Sequence, residues 1–340
     1  MKYKAYIGTY SIRKSRGIYI ADTDSKTGDM HIFDSYNAFN PSYLAISKDC
    51  NYLFSVLETK EIDGHYGGAV ISFSINQDAT LNLVSKAYTL GTDPCHLTTD
   101  KKDTFLYVAN YSDGKLTVLP LNNGAIINEP LVIEHWNSDL VNNRLKNSHA
   151  HCTMFDRNGR LCMVDLGLDK AIFYNVENNI LIEECALVTK LGSGPRHVVF
   201  SSNGCFAWIV CEHSNEIYTF DLISMQRIGI YTTLPGDFKG SNTCAAIKIS
   251  PCGEFIYASN RGHNSIAVFQ IEKNGKLKLV GNYFSRGKTP RDFAFSPNGK
   301  FLYIANQNSD SIEVFLVRAG RLEYTGQSIS VPAPCCIIFR

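Results

Sequence analysis

Six hairpin modules in succession, an almost complete lack of helical periodicity and matching strand signals at the two ends predict an all-β fold for this chain of 340 residues. The specific expectation is a seven-bladed β-propeller with four-stranded antiparallel blades. Short alternating apolar and polar runs, bounded by Gly, Asn, Asp and Pro, stand where an amphipathic helix would need apolar residues at i, i+3, i+4 and i+7. The 18 tyrosines and 19 phenylalanines fall within those runs, where flat side chains pack on a pleated surface.

The modules begin at Asn40 (NPSYLAISKDCNYLFSVLE), Asp93, Ser148, Gly194, Thr243 and Thr289 (TPRDFAFSPNGKFLYIANQ). Each reads as a strand, a turn of the S-P-N-G kind and a second strand, which is a β-hairpin. A third alternating strand follows, as in AVISFSI or SIAVFQI, and usually a fourth, as in LKLVGNY. The modules end at Glu58, Tyr111, Leu166, Glu212, Arg261 and Gln307, at intervals of 46 to 55 residues, the length of a four-stranded blade. The chain closes on a lone first strand, APCCIIF, and opens on second and third strands, KAYIGTY and GIYIADT. Those ends complete a seventh blade, closing the ring without exposed sheet edges. Residues 1–340 therefore form one propeller domain.

Composition narrows the function. With 33 basic and 32 acidic side chains the formal charge is +1, so no field for nucleic acid exists. No run of 18 apolar residues and no signal-peptide core occurs, which points to a protein without membrane contact in the cytoplasm. The 11 cysteines, odd in number and scattered over strand positions, read as reduced thiols.

In an antiparallel hairpin the start of the first strand lies beside the end of the second, so both positions from every blade converge on one mouth. The starts carry His96, His151, Arg196, His197, Arg291 and Asp292, and the ends carry Tyr10, Glu58, Tyr111, Glu212, Arg261 and Gln307. The concentration of His, Arg and Glu in blades three to six describes a pocket for a small polar anion. His149 and His151 share one face of a strand, with Asp165 near the end of its partner. Spacing dictates no carboxylate beside His149, His151 and His197, so no metal is expected. The glycines of GSGPRH precede a strand rather than a helix, which excludes a phosphate-cradling loop.

At these residues the sequence resembles the lactonase family of seven-bladed propellers, which includes 6-phosphogluconolactonases and carboxymuconate-lactonising enzymes. The resemblance rests on HAH at His149 to His151, GPRH at Gly194 to His197, CEHSN at Cys211 to Asn215 and SNRGHNSI at Ser259 to Ile266. It implies a catalytic cluster of a histidine of the HAH segment, with His151 favoured, together with Arg196, Glu212 and Arg261. His149, Asp165, His197 and Gln307 are expected to bind substrate. It implies no cofactor, and a small anionic lactone as partner of a monomer or homodimer.

The implied activity is hydrolysis of 6-phosphogluconolactone, in the oxidative pentose phosphate route. Glu212 or His151 would activate water, and the arginines would stabilise the oxyanion or hold the anionic group. Another sugar or organic-acid lactone, muconate cyclisation or a non-catalytic binding propeller are the alternatives, since fold alone does not fix function.

Overall fold

The computed structural model describes residues 1–134, 147–177 and 180–340. Among them the strands form seven antiparallel sheets, six of four strands and one of five, plus a small two-stranded hairpin. Among the described residues, helical structure is limited to one short 3₁₀ turn, Gln307–Ser309.

The hairpin turns show why the repeat is so readable. Gly204, Gly253 and Gly299 donate their amides to the carbonyls of Ser201, Ser250 and Ser296 at 2.8–3.0 Å, and each glycine has a φ between +70° and +77°. The same serines accept, at Oγ, the amides of Phe206, Phe255 and Phe301 at 2.8–3.1 Å. A serine hydroxyl and a residue that tolerates positive φ thus satisfy the backbone of the turn.

The chain divides into two compact units, residues 40–196 and residues 1–39 with 197–340. In the first unit, the sheet holding Tyr52–Leu57 packs on that holding Phe105–Asn110 through Phe54, Val56, Leu97 and Leu119. The latter packs in turn on the sheet of Ala150–Phe155 and Leu161–Asp165 through Tyr107, Leu161 and Met163. In the second unit, apolar clusters join the sheet of Phe206–Cys211 to that of Phe255–Arg261, and that sheet to the sheet of Phe301–Asn306. A third cluster joins the last of these to the sheet of Lys2–Thr9. Within each unit these layers are sheet on sheet, built from the apolar half of an alternating strand.

The terminal strands pair as expected. Lys2–Thr9 lies between Ile18–Asp24 and the closing strand Pro334–Phe339, with Tyr6 opposite Ile338 and Ile7 opposite Ile337. Two details differ from a plain repeat. The outer strand following Leu116–Asn122 is split into Ala125–Ile126 and Leu131–Ile133. A hairpin, Glu61–Ile62 with His65–Tyr66, is inserted ahead of the third strand of the first module.

Candidate active site

In four hairpins the start of the first strand lies beside the end of its partner: Pro94 faces Asn110, Ala150 faces Asp165, Thr243 faces Arg261 and Pro290 faces Asn306. All four of these starts also carry a β-bulge, which in the strand Thr243–Ile249 falls at Ala245 and Ala246. In the other three the register steps from Pro94 to His96, from Ala150 to Cys152 and from Pro290 to Asp292, so Cys95, His151 and Arg291 are the inserted residues. A bulge bends the strand and re-aims the inserted side chain. Counted back from the Asn-Gly of each hairpin turn, Arg196 of GPRH occupies the same place as His151 and Arg291.

In the unit of residues 40–196, His151 is buried, with its Nδ1 3.8 Å from the Cys95 thiol and its ring edge-on to Tyr111. His149 stacks on Tyr111 and its Nδ1 lies 2.8 Å from the Tyr111 carbonyl. A carbonyl only accepts, so that nitrogen carries the proton and Nε2 is the basic atom of the neutral ring. Arg196 is buried, at 3% exposure, at the end of this unit.

Asp165 requires a correction. It has no accessible surface, and its carboxylate accepts the Ser148 hydroxyl and the amides of His149 and Leu168. A carboxylate engaged this way braces the turn below His149 and has no face for a substrate. Burial of both oxygens could not be read from strand position.

In the other unit, Glu212 follows the strand Phe206–Cys211 and Arg261 ends the strand Phe255–Arg261. Their charged atoms, Glu212 Oε2 and Arg261 Nη2, are 2.8 Å apart, and the same guanidinium nitrogen donates to the Cys244 carbonyl at 2.8 Å. The Cys244 amide donates to the Glu212 carbonyl at 3.1 Å. One peptide segment thus ties both residues, whose side chains stay 13–18% exposed, enough to meet a ligand.

Arg291 donates to the Tyr10 hydroxyl at 2.6 Å and its guanidinium lies 5.0 Å from the centre of that ring. The sequence places both at hairpin positions without assigning them a role, and the contact between them joins the start of one hairpin to the end of another. Gln307 opens the 3₁₀ turn, its amide bonded to the Thr289 carbonyl, and its Oε1 is buried with no donor among the described residues. His197 is buried within the strand Pro195–Phe200, one residue beyond Arg196. Among the described residues no group of three His, Cys, Asp or Glu side chains is placed to hold a metal ion.

The family described as "Lactonase, 7-bladed beta-propeller" matches residues 4–339. A Bacillus subtilis protein named 6-phosphogluconolactonase is 30% identical, with 99% of this chain and 98% of that protein covered. A Formosa agariphila protein of the same name is 33% identical over 85% of each chain. Among solved structures, a Pseudomonas aeruginosa periplasmic gluconolactonase gives a TM-score of 0.92 at 29% identity, covering 100% of this chain and 99% of that one.

Proposed function

Because the chain belongs to the seven-bladed β-propeller lactonase family, we propose that it hydrolyses a lactone, with 6-phosphogluconolactone as substrate and 6-phosphogluconate as product. The observation that carries this beyond kinship is the Glu212–Arg261 pair at 2.8 Å, held at the mouth of a hairpin and left partly open.

In this proposal Glu212, oriented by Arg261, takes a proton from water as the water oxygen adds to the lactone carbonyl. Negative charge grows on the carbonyl oxygen, and a fixed guanidinium stabilises it without having to reorganise. Collapse of the tetrahedral intermediate breaks the ring C–O bond, and the departing alkoxide takes back the proton held by Glu212, giving the hydroxy acid and restoring the carboxylate. Arg291, in the same unit as Glu212 and Arg261, suits an anionic group remote from the carbonyl, because a guanidinium binds phosphate or carboxylate through two parallel N–H bonds, and Arg196 is to be tested for that role by its own substitution. His151, His149, His197 and Gln307 are kept as contributors to binding or proton transfer, each to be tested by its own substitution.

A second reading has specific support. The Pseudomonas aeruginosa relative is named a gluconolactonase, so an unphosphorylated sugar lactone competes as substrate. We assign the protein to the cytoplasm as a monomer or homodimer serving the pentose phosphate pathway. All eleven cysteines are free thiols, which suits a reducing compartment. No helix among the described residues is long and apolar enough to cross a membrane.

The test is acid release from 6-phosphogluconolactone and from glucono-δ-lactone, each measured against its spontaneous opening. Faster opening of the phosphorylated lactone supports the first reading, and preference for the plain one supports the second. A protein that accelerates neither removes both.

A further inference from the structure

The loop between the strands Gln226–Thr232 and Thr243–Ile249 carries Asn242, whose side-chain hydrogen-bonding capacity is directed at the two segments that bear Glu212 and Arg261. Its Nδ2 donates to Asn215 Oδ1 at 2.8 Å and to Asn260 Oδ1 at 3.1 Å. Its Oδ1 accepts the His263 amide at 2.9 Å. Asn215 lies three residues after Glu212, in a left-handed conformation with φ +59° that ends its turn. Asn260 immediately precedes Arg261, and His263 follows two residues later. One amide side chain therefore bridges the turn behind the carboxylate to both flanks of the arginine.

Asn260 is itself fixed from behind, its Oδ1 accepting the Thr233 hydroxyl at 2.7 Å and its Nδ2 donating to the Thr233 carbonyl at 3.0 Å. Freedom to slide is thus removed at the Asn260 end of the bridge. Asn215 and Asn260 belong to the CEHSN and SNRGHNSI motifs, and the bridge gives these asparagines a physical role that direct contact with substrate does not.

We propose that Asn242 is a positioning residue that sets the register between Glu212 and Arg261 and so acts on catalysis through their ion pair. This rests on the lactonase reading above. Misplacing a reacting group by about 1 Å costs on the order of a hundredfold in rate, and the bridge guards against a slip of that size.

The experiment compares Asn242→Ala with Asn282→Ala and Arg261→Lys in the full-length protein. Asn282 donates to the same Thr233 carbonyl at 2.6 Å but does not join the two segments, so its loss reports general weakening of the network. Asn242→Ala should lower kcat roughly 10- to 100-fold with KM nearly unchanged. Asn282→Ala should lower the melting temperature comparably and leave kcat within about twofold, as expected of a site off the coupled pair. Asn242→Ala added to Arg261→Lys should cost little beyond Arg261→Lys alone, because residues acting through one interaction are not additive.

Equal kcat losses in the two asparagine variants, or losses that multiply in the double variant, would overturn the proposal while leaving lactonase activity standing. A wild-type protein inert on every lactone overturns the activity and the positioning role together.

Discussion

Arg261 is the residue on which most of the local chemistry turns. One guanidinium nitrogen serves both the Glu212 carboxylate and the Cys244 carbonyl, so removing the side chain strips a counter-ion from a half-buried acid and a donor from a backbone oxygen. Arg261→Ala should reduce kcat/KM by about 100- to 1,000-fold, the usual cost of losing a fixed oxyanion donor. It should also cost about 1–3 kcal/mol of stability for the orphaned groups. Arg261→Lys keeps the charge without the planar fork and should recover only part of the rate. Steady-state kinetics and thermal unfolding of the three proteins decide it, and an Arg261→Ala enzyme of wild-type rate would remove the residue from the mechanism.

His263, two residues further on, offers a test by pH. It sits between Phe238 and Phe284, and desolvation there lowers its pKa from the ordinary 6.5. A histidine with a lowered folded pKa binds fewer protons when folded than when unfolded, so stability rises with pH across that interval. Its favourable neutral state is fully in place above pH 6.5 and is lost progressively as pH falls below that value. The melting temperature should therefore decline between pH 7 and about pH 5 more steeply in the wild type than in His263→Gln. Identical slopes would show that the ring is indifferent to its charge.

The strands and turns were legible because each is decided locally. Alternation fixes which face is apolar, and the Ser-to-Gly turn fixes where the hairpin reverses, so both survive without knowledge of the neighbours. The bulge was not legible in the same way. His151, Arg291 and Cys95 could be placed at strand starts, but the inserted residue shows only in the pairing register with the second strand. Asp165 failed for a related reason, since its donors come from Ser148, His149 and Leu168 and nothing in its own strand announces them. The Glu212–Arg261 pair was anticipated as two members of one cluster, whereas the loop that ties them was not, because Asn242 lies in a stretch with no alternation to read.

That loop makes a prediction of its own. Gly262, between Arg261 and His263, has φ +131°, and a Cβ there would stand 2.1 Å from the Ser241 carbonyl oxygen. Gly262→Ala must therefore move the segment that carries Asn242. A loss of at least about tenfold in kcat is expected from a displacement of this kind, with the remaining sheets intact by circular dichroism. A variant with unchanged kcat would show that the loop absorbs the methyl group without moving the pair.

Across the whole molecule, the repeat explains how a chain of 340 residues with nearly balanced charge can place arginines at equivalent positions of successive hairpins. Similar hairpins bring the start of one strand beside the end of the next in repeat after repeat, so a few substitutions on a constant frame can write function. The frame depends on how the two ends of the chain meet. Pro334–Phe339 is the first strand of a sheet whose other three strands come from the N-terminal 36 residues, and Arg340 donates its amide to the Lys4 carbonyl at 2.9 Å. Cys335, Cys336 and Ile337 are each no more than 3% exposed, so this strand is core as well as edge.

Burial of three such side chains contributes about 1.5–3 kcal/mol apiece when they are aliphatic and somewhat less for cysteine. The sum approaches the roughly 5–15 kcal/mol that holds a typical domain folded. Removing the strand also leaves Lys2–Thr9 with a row of unsatisfied backbone groups, a template for pairing with another chain. A protein ending at Val331 should therefore be recovered largely as aggregate, and adding the missing segment as a separate peptide, Pro332 to Arg340, should restore part of the soluble yield by refilling that edge. Full solubility and an unchanged melting temperature in the truncated chain would mean that closure contributes little, and that the sheets stacked within each unit hold the fold without it.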